Sequence, residues 1–377
     1  MLLTGDEETG ALAALRALSA SGYDVWLATA QMNTYAARSR AAAGVVSVPD
    51  AADAPDACAT ALAEAAERLA VDLVLPGTEK DLVVLSTRRD RFASESVLGV
   101  PSADVVARTT DKEEVLARAR RAGLETPETA AFTRAEVAAA AADLRYPAVV
   151  KPARTKSPAS DGSIRHGRAA RVADAAGLRA AVESLPGDRF LVQPFVKGRL
   201  AAIGAVAWEG RIVAAVHQVA ERIWPPDCGI SAYAATVERD EQLEAAAARL
   251  LASLGWSGIV QLQFLRRDGR SLLVDLNPRP YGSLALAVAA GVNLPQLWVE
   301  LLLGGTPRAN SYRVGVRYRV EEKDMRALIH ELVRGRRQAA LAGLVPRPRT
   351  VHAVFSLRDP APLLTTVTKA AARLARA

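Results

Sequence analysis

The first 100 residues alternate short apolar segments with alanine-rich segments of helical period. The apolar runs MLLTG, YDVWLAT, GVVSVP and VDLVLPG predict strands, and ETGALAALRALSASG and ACATALAEAAERLA predict helices between them. Strands that are apolar on both faces and are joined by helices are typical of a parallel sheet covered on both sides. We therefore predict a Rossmann-like α/β domain over residues 1–108.

The pattern changes after this first domain and predicts an α+β region. TTDKEEVLARARRAGLETP predicts a helix that is capped near Asp111 and ends before Gly123. YPAVVKP and FLVQPFV predict strands on either side of a long polar loop, ARTKSPASDGSIRHG. AAIGAVAWEGRIVAAVHQVA predicts a hairpin, and a helix over 240–254 follows it. Residues 306–377 are rich in arginine and contain two further predicted strands, VGVRYRV and VHAVFSL.

A second predicted hairpin, GIVQLQFLRRDGRSLLVDLNPR, has one apolar and one polar face. The polar face carries four side chains: Gln261, Gln263, Asp275 and Asn277. These four side chains share a face only if the loop has an odd number of residues, so we predict three residues with Gly269 in the left-handed region. Oxygen ligands of this kind suit Mg²⁺, which proteins bind through one or two carboxylates plus substrate phosphates. The alternative is an edge strand with an ordinary solvated polar face.

The composition excludes several classes of protein. The net charge is +7, but 41 of the 48 basic residues are arginines scattered along the chain, so we do not expect nucleic-acid binding. The N-terminal segment lacks the basic region of a signal peptide, and no apolar run reaches the roughly 20 residues of a membrane span. Cys58 and Cys228 form neither a disulfide framework nor a metal pattern. We expect a cytoplasmic protein that contacts no membrane.

The loop after the first predicted strand, TGDEETG, disfavours a dinucleotide site. It lacks the G-x-G-x-x-G fingerprint, and its three acids would repel a pyrophosphate. An NAD-linked oxidoreductase, which the first 100 residues alone would permit, is therefore not favoured.

The order of the motifs over roughly residues 1–305 resembles the ATP-grasp superfamily of carboxylate–amine ligases. DK opening a helix, YPAVVKP, the polar loop, FLVQPFVKG, GWSGIVQLQF and LLVDLNPRPYGSLALAVAAGVNLP occur in the order of that superfamily. The last segment resembles its acid-x-Asn-Pro-Arg strand and is the most specific. The similarity is greatest to the carbamoyl-phosphate-synthase-like and D-alanine–D-alanine-ligase-like branches. It implies a pre-ATP-grasp domain, two ATP-grasp lobes and a C-terminal α/β tail, at 1–108, 109–195, 196–305 and 306–377.

The resemblance also implies an activity. In ATP-grasp ligases, ATP lies between the two lobes and passes its γ-phosphoryl group to a carboxylate, and an amine then attacks the acyl phosphate. We therefore expect an ATP-dependent C–N ligase that releases ADP and phosphate. Its expected partners are a small carboxylate, such as an amino acid or a peptide-like acid, and an amine. Dimers are common in the superfamily, so a homodimer is an open option.

The nucleotide-binding residues follow from the same resemblance. Lys112 and Lys151 match the lysines that contact the phosphates, and a compact ammonium group suits that task. Gln193, Phe195 and Val196 match the segment between the lobes that holds the adenine. The polar loop matches the loop that closes over the phosphates, with four residues implied: Ser157, Ser160, Gly162 and Ser163.

The catalytic and metal-binding residues are implied in the same way. Asp275, Asn277 and Gln263 match the ligands of Mg²⁺, with Mn²⁺ as an alternative. Arg279 matches the arginine beside the reacting phosphoryl group. Arg222 lies where relatives bring substrate-binding residues toward the acyl phosphate, and an arginine can bind a carboxylate through two parallel hydrogen bonds.

Three departures from the superfamily keep alternatives open. Gln263 stands where relatives usually have a glutamate, and Asp275 replaces a longer glutamate. The segment between the lobes, often Gln-Glu in relatives, is Gln193-Pro194. One carboxylate fewer lowers the negative charge available to metal ions. The alternatives to an active ligase are a catalytically degraded nucleotide-binding module and a phosphotransferase that stops at a phosphorylated product.

Overall fold

A computed structural model describes residues 1–5, 8–93, 96–154, 156–158, 164–308 and 311–365. Within these ranges the chain is a mixed α/β protein with sheets of five, four, seven and two strands. No single helix in this part of the chain has both the length and the apolar composition of a membrane span. One bent pair, Leu284–Ala290 and Leu294–Leu302, meets those criteria together across an angle of 94°.

The N-terminal region contains a five-stranded parallel sheet with the order β3-β2-β1-β4-β5. Its strands are β1 (Leu2–Thr4), β2 (Trp26–Thr29), β3 (Gly44–Ser47), β4 (Leu73–Leu75) and β5 (Val97–Leu98). The helices of this region are α1 (Thr9–Ala20), α2 (Pro55–Arg68), α3 (Glu79–Thr87) and α4 (Ala103–Thr110). Neighbouring residues of β1 enter two different hydrophobic cores, Leu2 with α2 and α3 and Leu3 with α1. The predicted parallel sheet is confirmed.

An antiparallel four-stranded sheet follows, with the order β10-β7-β11-β6. Its strands are β6 (Ala130–Thr133), β7 (Ala148–Pro152), β10 (Ala170–Val172) and β11 (Arg189–Pro194). The accompanying helices are α5 (Lys112–Arg121), α6 (Arg134–Ala140) and α7 (Ala175–Ser184). Two short strands, β8 (Lys156–Pro158) and β9 (Ile164–His166), pair with each other in the polar loop. The strands predicted from YPAVVKP and FLVQPFV are β7 and β11.

The largest sheet has seven strands in the order β16-β15-β12-β13-β14-β17-β18. These are β12 (Arg199–Trp208), β13 (Arg211–Trp224), β14 (Ile230–Thr236), β15 (Gly258–Arg267), β16 (Arg270–Asn277), β17 (Arg317–Arg319) and β18 (Thr350–His352). Its helices are α8 (Glu241–Leu254), α9 (Leu284–Ala290), α10 (Leu294–Leu302), α11 (Glu321–Val333) and α12 (Arg337–Leu344). The tail therefore extends this sheet by two strands, at the edge opposite β16.

One face of the seven-stranded sheet is apolar and packs against α8. Ile203, Leu262 and Phe264 share a buried core with Leu250 and Leu251 of that helix. Because side chains alternate along a strand, Gln261 and Gln263 of β15 point to the opposite face. That polar face carries the candidate site.

The turn of the β15–β16 hairpin differs from the sequence prediction. Arg267 pairs with Arg270, so the loop contains only Asp268 and Gly269. Both loop residues have positive φ, 49° and 77°, as in the two-residue turns that favour Asp-Gly. The left-handed Gly269 is confirmed, and the predicted three-residue loop is wrong.

A β-bulge in β16 places Gln263 and Asp275 on the same face, which the predicted three-residue loop would also have done. Phe264 pairs with Leu273, but the next pair is Gln263 with Asp275, so Val274 is the extra residue. A bulge of one residue shifts all following side chains of its strand to the other face. The predicted polar face is therefore formed, by a two-residue turn with a bulge and not by a three-residue loop.

Candidate active site

Two lysines and an aspartate meet between the four-stranded and the seven-stranded sheets. The Lys112 Nζ forms an ion pair with the Asp275 Oδ1. The Lys151 Nζ donates a hydrogen bond of 2.7 Å to the backbone oxygen of Val274. We call Lys112, Lys151 and Asp275 the lysine–aspartate cluster. Three residues that sequence reasoning placed in one site are thus brought together from α5, β7 and β16.

Local structure fixes both lysines of the cluster. Asp111 caps α5 by accepting hydrogen bonds from the backbone N–H groups of Glu113 and Glu114. The backbone N–H of Lys112 donates to the carbonyl of Ala153 at 2.8 Å, which ties the start of α5 to the end of β7. Because Lys151 lies on β7, both ammonium groups are presented from one rigid junction.

The electrostatics of the cluster favour an anionic ligand. Lys151 is only 6% exposed, and burial lowers its pKa to about 8, with the charge of Lys112 acting in the same direction. Burial alone would raise the pKa of Asp275, but the nearby lysines and Arg279 outweigh it and hold that pKa below its ordinary value. At neutral pH the cluster therefore places two ammonium groups around one carboxylate, an arrangement suited to phosphate oxygens.

A chain of hydrogen bonds organises the polar face beside the cluster. Gln263 Nε2 donates to Gln261 Oε1 at 3.0 Å, and Gln261 Nε2 donates to Ser283 Oγ at 3.2 Å. Gln218 Nε2 donates to the same hydroxyl at 2.9 Å. The amide nitrogen of Gln263 is used in these hydrogen bonds, whereas its carbonyl oxygen accepts none from the described residues and can face a cation.

The polar face carries oxygen atoms from one carboxylate and several amides. Among the described residues, no group of three or more His, Cys, Asp and Glu side chains is placed to hold a metal ion. Asp275 pairs across the hairpin with Gln263, and Asn277 pairs with Gln261. One carboxylate with amide oxygens fits Mg²⁺, which retains several waters and takes further ligands from phosphates. The donor set is thus compatible with a magnesium ion held jointly with a nucleotide.

Arg279 lies just beyond β16 and contacts the N-terminal region. Its NH1 forms an ion pair of 2.9 Å with the Glu8 Oε2 and donates to the Pro280 carbonyl at 3.0 Å. Its Nε is buried and has no hydrogen-bond partner in the described parts of the chain. Sequence reasoning missed Glu8, although the acids of TGDEETG were the available signal, because it considered them only as a repulsion against pyrophosphate.

The predicted nucleotide-binding segment adjoins the cluster through β11. Gln193 is buried, and its Nε2 donates to Thr129 Oγ1 at 2.8 Å. Phe195 is partly buried beneath the guanidinium of Arg171, 4.5 Å from its ring centre, and Val196 follows it. In the predicted phosphate loop, the backbone of Ser157 belongs to β8. Three further predicted residues lie outside the described residues: Ser160, Gly162 and Ser163.

Arg222 is not part of the lysine–aspartate cluster. Its guanidinium binds the buried carboxylate of Asp324 through two contacts, of 2.5 and 3.1 Å, and lies 4.3 Å from the ring centre of Tyr233. Arg319 binds the same carboxylate at 2.9 Å. These contacts fasten α11 of the tail to the seven-stranded sheet, and the role of Arg222 in catalysis stays a prediction.

We expect Arg222→Met to lower the free energy of unfolding by about 1–3 kcal/mol, because it removes charge-assisted hydrogen bonds to a buried carboxylate. Denaturant unfolding measures this change. The control Arg326→Met removes an exposed ion pair with Glu322 on the same helix and is expected to change stability by less than about 0.5 kcal/mol. Equal, small effects of both substitutions would contradict the assigned role.

Comparison with known proteins adds independent evidence on the class of this chain. Residues 187–324 match a family described as "ATP-grasp in the biosynthetic pathway with Ter operon". The carbamoyl phosphate synthase large chain of Vibrio cholerae is 24% identical over 231 residues. That match covers 55% of this chain and only 20% of the synthase chain.

Solved structures show the same fold. An L-amino acid ligase from Bacillus licheniformis superposes with a TM-score of 0.59 and 16% identity, covering 80% of this chain and 73% of the ligase. The biotin carboxylase domain dimer of a 2-oxoglutarate carboxylase from Hydrogenobacter thermophilus, in complex with MgADP, ADP and bicarbonate, gives a TM-score of 0.64 at 13% identity. That match covers 84% of this chain and 72% of that domain. The resemblance to the ATP-grasp superfamily is confirmed.

Proposed function

We propose that this protein is an ATP-dependent ligase that activates a small carboxylate as an acyl phosphate and couples it to an amine. The observation that carries the proposal is the lysine–aspartate cluster beside the polar face of β15 and β16. It provides cations for phosphates next to oxygen ligands for a magnesium ion. The test is release of ADP that requires the acid, ATP and Mg²⁺ together.

In this proposal the residues of the chain act mainly by position and charge. Lys112 exchanges its ion pair with Asp275 for phosphate oxygens of ATP, and Lys151 binds the same phosphates from β7. Asp275, Asn277 and Gln263 hold Mg²⁺, with Mn²⁺ as an alternative. When bound, the metal ion neutralises charge on the phosphates. Arg279 stabilises the negative charge of the phosphoryl group as it is transferred.

The proposed reaction consists of two nucleophilic displacements, the first at phosphorus and the second at the acyl carbon. A carboxylate oxygen of the acid attacks the γ-phosphorus of ATP, the bond to the bridging oxygen breaks, and ADP leaves. The amine nitrogen then attacks the acyl carbon, phosphate leaves, and the nitrogen loses a proton. We further propose that residues 1–108 are the pre-ATP-grasp domain and that 109–195 and 196–305 form the two lobes around ATP.

A nucleotide-binding module without turnover is the second candidate function. The observation that favours it is the hydrogen-bonded chain through Gln263, Gln261 and Ser283, which satisfies amide groups of this face without a metal ion. A phosphotransferase is distinguished by its product, because a ligase releases free phosphate only when the acid and the amine are both present.

The substitution Gln263→Glu separates an active enzyme from a degraded one. For an enzyme adapted to glutamine, we expect turnover to fall, because the new carboxylate faces Asp275 and cannot donate to Gln261. Steady-state ADP release measures the effect, and Gln242→Glu, on the exposed face of α8, is the matched control. A gain of metal-dependent turnover would instead identify the wild type as a degraded catalyst.

A further inference from the structure

Large apolar side chains are exposed on the two helices of the tail, α11 and α12. Among the described residues, fourteen large hydrophobic side chains are exposed, and half of them lie between residues 325 and 345. Exposed apolar residues that occur singly are ordinary on a protein surface, whereas a concentrated group marks an interaction surface. The seven residues are exposed by 49–80% and are Met325, Ile329, Leu332, Val333, Leu341, Leu344 and Val345.

Four of these side chains form a stripe along α11. Met325, Ile329 and Leu332 are spaced by four and three residues, which places them on one side of a helix, and Val333 adjoins them. We call these four residues the α11 stripe. Another side of the helix carries the buried Asp324, whose ion pairs with two arginines of the seven-stranded sheet fasten α11 to that sheet. The stripe is therefore left on the surface and is not needed to hold the helix.

The helix α12 adds a second exposed apolar side. It packs so closely on α11 that the side chain of Leu328 occupies the space that a Cβ on Gly343 would need. Its exposed residues Leu341, Leu344 and Val345 are spaced by three and four positions and share one side of the helix. Two helices in direct contact thus each present an apolar side that the described part of the chain leaves exposed.

The charges at the two ends of the α11 stripe have opposite signs. Glu322 lies in the first turn of α11 and Arg336 follows its last turn, each seven positions from Ile329. Glu322 contacts Arg326 at 2.6 Å and Arg336 contacts Glu331 at 2.5 Å, in ion pairs that water can reach. Such pairs contribute little to stability, so exchanging them costs little. A face with an acid at one end and a base at the other is complementary to an antiparallel copy of itself.

We propose that the α11 stripe binds the α11 stripe of a second copy of this chain, in an antiparallel pair around a two-fold axis at Ile329. In this pair Ile329 contacts its own counterpart, Met325 lies opposite Val333, and Glu322 lies opposite Arg336. The antiparallel direction also brings the acidic start of each helix, with its positive dipole end, beside the basic end of the other. The apolar side of α12 widens the contact. The tail is thus a dimer interface.

Sedimentation velocity of the full chain tests this interface through the molar mass. The wild type is expected to sediment at micromolar concentrations with twice the 39.9 kDa of one chain. Ile329→Arg places two like charges at the centre of the interface, one from each copy, and is expected to raise the dissociation constant at least about 100-fold. Leu303→Arg is the matched control, because Leu303 is 54% exposed, against 53% for Ile329, and lies outside the tail helices. It should leave the dimer unchanged.

Charge reversal tests the antiparallel direction of the pair and does not depend on the folding of one variant. In the dimer of Glu322→Arg two arginines face each other at each end, and in the dimer of Arg336→Glu two glutamates do. Each variant alone is therefore expected to dimerise about tenfold more weakly than the wild type. An equimolar mixture of the two variants regains opposite charges at both ends and is expected to recover the dimer.

Three results would overturn the proposal. The first is a wild type that remains a monomer at about 100 µM, because association depends on concentration by mass action. The second is a dimer that persists in Ile329→Arg. The third is a mixture of Glu322→Arg and Arg336→Glu that dimerises no better than either variant alone, which would exclude the antiparallel pair.

Discussion

Asp275→Asn is expected to remove most of the magnesium dependence of ATP binding. The substitution deletes the carboxylate that pairs with Lys112 and lies opposite Gln263. With Mg²⁺ present, we expect ATP affinity to fall about 100-fold, or ~2.7 kcal/mol, because the metal loses its charged ligand. Without Mg²⁺, ATP is expected to bind no more weakly than to the wild type, because Lys112 is released from its internal anion. Calorimetric titration of ATP with and without Mg²⁺ measures both values.

The control for this prediction is Asp268→Asn in the turn of the same hairpin. Asp268 is exposed, and asparagine tolerates its positive φ of 49°, so the control removes one carboxylate without altering the polar face. Its ATP affinity should match that of the wild type under both conditions. If Asp275→Asn behaves like this control, Asp275 is not a metal ligand.

Lys151→Met is expected to weaken ATP binding about 100-fold while leaving the protein as stable as before. The buried ammonium group contributes a point charge to the phosphate site, which methionine cannot replace. Its burial is unfavourable for folding, because the pKa is lowered from 10.5 to about 8. This cost offsets the hydrogen bond that the variant loses to the carbonyl of Val274. ATP titration and denaturant unfolding, with Lys197→Met as an exposed control, measure the two effects.

The same lysine gives a signature in the pH dependence of stability. Between about pH 8 and 10.5, the unfolded chain binds a proton at Lys151 that the folded chain has lost. Stability therefore rises with pH through this window, by roughly 3 kcal/mol for the full shift. Lys151→Met should lack that rise when the two unfolding free energies are subtracted. An unchanged pH dependence, or a variant that binds ATP normally, would contradict the placement of Lys151 in the phosphate site.

The polar face of the hairpin shows how much can be predicted from the alternation of side chains along a strand. Alternation correctly grouped Gln263 with Asp275, because side-chain direction follows from a period of two. It could not reveal how the two strands come into register. A two-residue turn followed by a bulge gives the same grouping as a three-residue loop, and the bulge at Val274 leaves no clear mark in the sequence.

Long-range partners explain which contacts of the charged residues could not be predicted. The ion pair of Arg222 could not be inferred from its own strand, because its partner Asp324 lies 102 residues further along the chain. The ion pair between Glu8 and Arg279 could not be predicted either, because only the tertiary structure brings the start of α1 against the loop after β16. The lysine–aspartate cluster was predictable only because the ATP-grasp resemblance placed its three members in one site. Neither the period of the hydrophobic pattern nor the composition indicates that they lie together.

Trapping of an activated acid tests the central claim most directly. The protein would be incubated with ATP, Mg²⁺, hydroxylamine and individual small acids, including amino acids and dicarboxylates. Hydroxylamine replaces the amine, because it attacks acyl phosphates and gives stable hydroxamates. We predict hydroxamate in an amount equal to the ADP released, and neither product when the acid is omitted. Binding of MgATP without ADP release for any acid would contradict a ligase, and a stable phosphorylated product without hydroxamate would identify a phosphotransferase.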